Sequence, residues 1–244
     1  MRNLRLEVCY DGTRYRGWQR LPGNDNTIQG KLENTLSRIL GETIQITGSG
    51  RTDSGVHALR QTVNFHCDSA MGCDTLLQQL RRYLPEDIGI YSVEETSPRF
   101  HARLNARQKT YCYRIWNSQK PCVFERRYVA VFPGELDVSS MKAAAAHLIG
   151  THDFSAFCAN KQFKKSTVRT IFALDISYKD DELRITVTGN GFLYNMVRIL
   201  VGTLVEVGLH ERTPESVAQL FGRRREEAGR LMPPEGLCMM GVEY

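Results

Sequence analysis

No uncharged apolar run in this chain approaches the roughly 20 residues that a membrane-spanning helix requires. No basic stretch followed by an apolar segment opens it, so a secretory leader is not expected. The seven cysteines (Cys9, Cys67, Cys73, Cys112, Cys122, Cys158 and Cys238) form no C-x-x-C pair and are odd in number and scattered. That pattern suits reduced thiols in a cytoplasm better than a disulfide framework. His57 has no second His or Cys at metal-ligand spacing, so no metal site is expected. Short repeats and low-complexity tracts are also missing, and the ordinary charged and apolar fractions (24% and 41%) exclude global disorder.

Lysine is scarce too: 8 of the 32 basic residues, against 24 arginines. The net charge of +5 is only mildly basic, so the choice of arginine is the stronger signal. A guanidinium grips phosphate bidentately and stacks on bases, which an ammonium does not. The arginines cluster. Arg14, Arg16 and Arg20 alternate with Tyr15 and Trp18; Arg99, Arg103 and Arg107 run up to Lys109; Lys161, Lys164, Lys165 and Arg169 surround Phe163. Basic residues interleaved with aromatics suit a polyanion that also presents flat bases, which makes nucleic acid a reasonable partner.

At 244 residues the chain can form one large domain or two modest ones. Alternation from Leu4 to Tyr10 predicts a half-buried strand. Asn26 and Gln29 resemble a capping box that opens a helix with Ile28, Leu32, Leu36, Ile39 and Leu40 on one face, closed by Gly41. Strands are expected around 43–48 and 61–67, a helix over 74–84 stopped by Pro85, and a strand over 88–95. The second half repeats the mixture: a strand at 109–117, a helix near 139–149 ended by Gly150, and a hairpin of 168–178 with 183–189. An apolar helix at 192–207, a short one at 214–222 and a last strand near 237–243 follow. Hairpins and helices interspersed in this way favour an α+β fold over a purely parallel sheet. Ser97-Pro98 interrupts the pattern and sets a boundary near 97–108, giving domains 1–100 and 101–244.

The segment from Gly48 to Ala58, G-S-G-R-T-D-S-G-V-H-A, is the most unusual in the chain. Its glycines allow backbone conformations closed to other residues and let a ligand approach the main chain. A plain turn with Asp53 in an Asx contact is the simplest reading. Two functional templates fail. A Walker loop needs Gly-Lys-Ser/Thr where Gly55-Val56 stands, and a dinucleotide fingerprint needs a third glycine where Asp53 stands. Asp53-Ser54-Gly55 does match the D-[S/T]-G string of aspartic proteases, which need two carboxylates sharing a proton. No second such string exists, and Arg51 would hold a neighbouring carboxylate ionised.

The same string closely resembles the catalytic loop of the TruA family of tRNA pseudouridine synthases, and the resemblance runs along essentially the whole chain. It includes Tyr10-Asp11-Gly12, Gly17-Trp18-Gln19, Phe100-His101-Ala102-Arg103, Lys109-Thr110-Tyr111 and His152-Asp153-Phe154, and then the run from Gly189 to Arg198. The family implies two ferredoxin-like α+β halves with antiparallel sheets side by side, helices packed on them and the active site in a cleft between. It implies that Asp53 is the catalytic carboxylate, with Arg51 and Arg198 beside it and Tyr111 stacking on the extruded base. The implied partner is the anticodon arm of tRNA, at uridines of positions 38–40, bound by a cytoplasmic homodimer. The reaction is an isomerisation, so no cofactor is implied. Ser54, Arg60 and Arg81-Arg82 depart from the family's usual residues outside the motif core, where they bear on which uridines are accepted. Two rivals follow from the residues themselves: a binding-only tRNA chaperone and a dimeric aspartic protease.

Overall fold

The computed structural model describes residues 1–160 and 166–244, so Lys161, Phe163, Lys164 and Lys165 of the third basic cluster lie outside the described residues. The opening alternation becomes β1 (Arg2–Tyr10), which buries Leu4, Leu6, Val8 and Tyr10. After the short β2 (Thr47–Gly48), β1 finds its antiparallel partners in β3 (His57–Cys67) and β4 (Ile88–Thr96). Residues 43–46 are not part of a strand. Side chains of the preceding helix take their backbone donors instead: Ser37 Oγ accepts from Ile44 N at 2.9 Å, and Glu33 Oε1 from Ile46 N at 3.1 Å.

That helix, α1 (Ile28–Leu40), begins one residue later than the capping box placed it. Thr27 is the cap, its hydroxyl accepting from Gly30 N at 3.1 Å, while Asn26 donates to the Arg14 carbonyl. A cap of this kind contributes about 1 kcal/mol. Gly41 ends the helix as expected, at φ 72°, a left-handed geometry that favours glycine. A second helix, α2 (Cys73–Tyr83), buries Leu76 and Leu80 and packs on β4, with α1 beside it.

The second half starts with β5 (Gln108–Trp116), followed by the short β6 (Ala130–Val131), α3 (Val138–Leu148) and β7 (Gly150–Asp153). Asp137 caps α3, and the Ser140 hydroxyl and backbone N–H, together with the Ser139 N–H and the nearby His210, hold its carboxyl below the ordinary range although burial opposes this. The hairpin joins β8 (Val168–Lys179) to β9 (Glu182–Gly189) through Asp180 and Asp181, at φ 53° and 65°. Two central residues at positive φ make a turn that matches the right-handed twist of its strands. Helix α4 (Met196–Gly208) starts four residues later than the apolar run suggests, behind Asn195 in the left-handed region at φ 61°. A 3₁₀ segment, Pro214–Leu220, replaces the short α-helix, and β10 (Leu237–Glu243) closes the order.

The chain divides into two units, Met1–Arg107 with Met239–Tyr244, and Gln108–Cys238. The first has strand order β4-β1-β3-β10, with β2 on β3. In the second the order is β5-β9-β8-β7, antiparallel throughout, with β6 parallel to β5; α3 packs on β8 and α4 on β5. Each unit is α+β, as the interspersed hairpins and helices imply. The break near 97–108 falls after Arg107, and the last six residues join the first unit, an exchange that linear order cannot signal. No helix of the described residues is long and apolar enough to cross a membrane.

Candidate active site

The Asp53 loop spans β2 to β3 and is pinned at both ends. Ser49 N donates to the Thr62 carbonyl at 2.8 Å, Ser49 Oγ to Gln61 Oε1 at 3.0 Å, and Gln61 Nε2 to the Gly50 carbonyl at 2.9 Å. Ser49 and Gln61 are fully buried, and burying such groups is favourable only when they are hydrogen-bonded. Val56 N closes a turn onto the Asp53 carbonyl at 3.2 Å, with Gly55 at φ 79° supplying the positive φ that such a turn requires.

Beneath this turn runs the segment from Tyr10 to Trp18. Trp18 N donates to the Thr52 carbonyl at 3.0 Å, and the hydroxyls of Tyr10 and Thr52 lie 2.8 Å apart. Ser54 Oγ donates to the Tyr15 carbonyl at 3.0 Å. A β-carbon on Gly12 would stand 2.0 Å from the Val56 carbonyl oxygen, so the two main chains touch. Gly12 N also donates to His57 Nδ1 at 3.0 Å, which assigns that nitrogen as an acceptor and puts the ring proton of the neutral tautomer on Nε2. Buried His57 is therefore a strut of the loop. These contacts hold Asp53, half-buried, between buried Thr52 and exposed Ser54 on a rigid support.

Arg51 lies on the same loop, two residues before Asp53. Its side chain is exposed and forms no ion pair or hydrogen bond among the described residues. The neighbouring basic cluster needs correction. Tyr15 and Trp18, at 4% and 2% exposure, are core residues and offer no face for stacking; only Arg14, Arg16 and Arg20 face solvent.

In the second unit, β5 carries Tyr111 and Tyr113. Tyr113 is fully buried, and its hydroxyl donates to the Pro233 carbonyl at 2.7 Å, a structural role. Tyr111, 7% exposed, meets Phe192 edge to face with ring centres 5.2 Å apart, a favoured aromatic geometry that fixes the ring. Phe192 lies just outside α4 because Asn195 turns the chain there; the apolar periodicity had placed it inside the helix. Arg198 occupies the first turn of α4. Its Nε donates to the Met232 carbonyl at 2.7 Å and its Nη1 to Asn195 Oδ1 at 3.2 Å. A cation in the first turn opposes the helix dipole by roughly 0.3–1 kcal/mol. Its guanidinium is half-buried and oriented by these two acceptors.

His152-Asp153-Phe154 has a different use. His152 stacks on Phe221 at 4.0 Å, and Asp153 accepts from Ser155 N and Thr167 Oγ1, tying loops together. The signals missed in the sequence are the Tyr10–Thr52 and Gly12–His57 contacts. Tyr10-Asp11-Gly12 was visible as a motif, but only the fold brings it under the loop.

A family model described as tRNA pseudouridine synthase matches residues 8–105 and 144–244. The chain is 46% identical over 245 residues to tRNA pseudouridine synthase A 2 of Bacillus cereus (strain ZK / E33L), covering all of both chains. It is 44% identical, again over all of both, to tRNA pseudouridine synthase A 1 of Clostridium tetani (strain Massachusetts / E88). Among solved structures, the archaeal box H/ACA sRNP Nop10-Cbf5 complex aligns over 97% of this chain and 45% of that one, at 11% identity and a TM-score of 0.38.

Proposed function

This chain belongs to the tRNA pseudouridine synthase family, and on that premise we propose that it isomerises uridine to pseudouridine in the anticodon arm of tRNA, at positions 38–40, with Asp53 as the nucleophile. The observation that carries the assignment of Asp53 is its seat: a half-buried carboxylate on a loop pinned by Ser49, Gln61, Thr52 and the Gly12–Gly17 segment. Catalytic groups need such support, because small misplacements of a reacting atom are costly.

The chemistry balances without a co-reactant. The bond from the ribose anomeric carbon to N1 of the base breaks, the detached base turns, and a bond forms to carbon 5. The proton on carbon 5 leaves and N1 gains one, so there is no call for ATP, a metal or a redox group. A carboxylate nucleophile serves either route, addition to the anomeric carbon or to the base, and splits one hard step into easier ones. Both routes require Asp53 ionised, a form that a nearby guanidinium favours. Arg198, oriented by Met232 and Asn195, is the arginine we assign to that task. Arg51, exposed and without a protein partner among the described residues, suits the displacement of a base from its stack. Tyr111, its ring fixed by Phe192, suits stacking on the extruded base.

The working form we propose is a cytoplasmic homodimer in which one tRNA touches both subunits. Pseudouridine mapping on an unmodified tRNA transcript tests the whole reading. Wild type should yield product and Asp53→Ala none, while still binding tRNA. Tight binding without product from wild type would mean a chaperone; peptide cleavage lost in Asp53→Ala would mean a protease.

A further inference from the structure

The arginines of the first unit fall into two groups. Arg2, Arg5, Arg14, Arg20 and Arg60 each pair with a carboxylate, at 2.6–3.3 Å. Arg81 donates to the carbonyls of Ile90 and Tyr91, and Arg38 and Arg82 lie over the Tyr83 ring. Among the described residues the remaining five, Arg16, Arg51, Arg99, Arg103 and Arg107, are exposed and have no side-chain partner. Arg51 lies on the Asp53 loop and Arg16 on its support. The other three occupy one segment, residues 97–107.

That segment is built rather than merely exposed. Two fully buried asparagines are devoted to it. Asn3 Nδ2 donates to the carbonyls of Ser97 and Phe100 at 2.8 and 2.9 Å. Asn64 Nδ2 donates to the Phe100 carbonyl and to Asn3 Oδ1, and its Oδ1 accepts from Ala102 N at 2.9 Å. His101 Nδ1 accepts from the backbone N–H groups of Arg103 and Leu104. The Tyr244 hydroxyl donates to the Ala102 carbonyl at 2.9 Å, which ties the segment to the residue that follows β10. Buried amides are costly unless satisfied, and these are satisfied by a surface loop that displays unpaired guanidinium groups. Preorganisation of that kind lowers the entropy lost on binding.

We propose that residues 97–107 form a rigid platform for the RNA sugar–phosphate backbone away from the reacting uridine, with Arg99, Arg103 and Arg107 as its phosphate contacts and Asn3 and Asn64 as positioning residues. The proposal rests on the reading of the substrate as tRNA. Its test uses the full chain carrying Arg99→Gln, Arg103→Gln and Arg107→Gln together, with the paired Arg2→Gln as control. Product formation by wild type is scored first, so failure of the substrate reading is seen separately. With wild-type product in hand, the triple variant should raise KM for tRNA about 10–100-fold while kcat at saturation changes less than about twofold. Each lost phosphate contact should lower the slope of log K against log salt by about 0.7–0.9, measured on an Asp53→Ala background. An unchanged KM and slope overturns the proposal, as does a change of oligomeric state in sedimentation without a change in slope.

Discussion

Gly17 and Asp53 touch through their main chains. Gly17 sits at φ 88°, and a β-carbon there would stand 2.8 Å from the Thr52 carbonyl oxygen and 3.0 Å from the Asp53 carbonyl carbon. Alanine is strained in that backbone region and finds no room. Gly17→Ala should therefore displace the loop and lower kcat by about 100-fold, while the melting temperature shows the fold retained. Wild-type kcat in a folded variant would show that the loop is not held from below.

The Tyr10–Thr52 hydroxyl pair supplies a gentler version of the same test. Tyr10→Phe removes a buried hydrogen bond and should cost roughly 0.5–1.5 kcal/mol in denaturant unfolding. Because the lost bond anchors the residue before Asp53, kcat should fall while KM for tRNA holds. Equal loss in both would count against it.

Arg198→Lys keeps the charge but cannot reproduce the fork that meets Met232 and Asn195. Turnover should drop on the order of 100-fold, the scale of losing one preorganised donor, with tRNA affinity within about threefold. Full activity in the lysine variant would mean that charge alone suffices.

Glu182 should contribute to the acid transition of the second unit. Burial pushes its carboxyl up, but the paired Arg114 and Arg184 guanidiniums outweigh burial and hold it below the ordinary 4.5. A lowered folded value means the stabilisation is fully present above pH 4.5 and is lost as pH falls through the lower folded value. Glu182→Gln should remove that part of the acid transition and cost roughly 1.5–3 kcal/mol at neutral pH, since Arg114 and Arg184 would then face each other across β5 and β9. An unaltered urea midpoint at pH 7 would contradict it.

Much of this was legible in residues. Helix α1 was marked by its apolar face and Gly41, the hairpin by alternating runs on either side of Lys179–Asp181, and the Asp53 loop by its unusual density of glycines. Other features were not. Ile44 and Ile46 look like strand residues, yet side chains of α1 compete for their backbone donors. Tyr15 and Trp18 read as an RNA-facing stripe but pack inside, since interleaved arginines say nothing about which way the rings turn.

Asp53 carries the distinction. Sequence alone determined that an aspartate stands in a glycine-rich loop of one family, because that loop's composition is local and its match is linear. Tertiary structure decided what holds it: Gly12, Gly17 and Tyr10 come under the loop only after β1 and β3 pair, and Asn3, Asn64 and Tyr244 shape the arginine platform from three distant points of the chain. It also decided that Arg51 is exposed and forms no ion pair among the described residues. Backbone geometry sets where a side chain on a turn points, and that geometry is imposed by contacts between residues far apart in sequence.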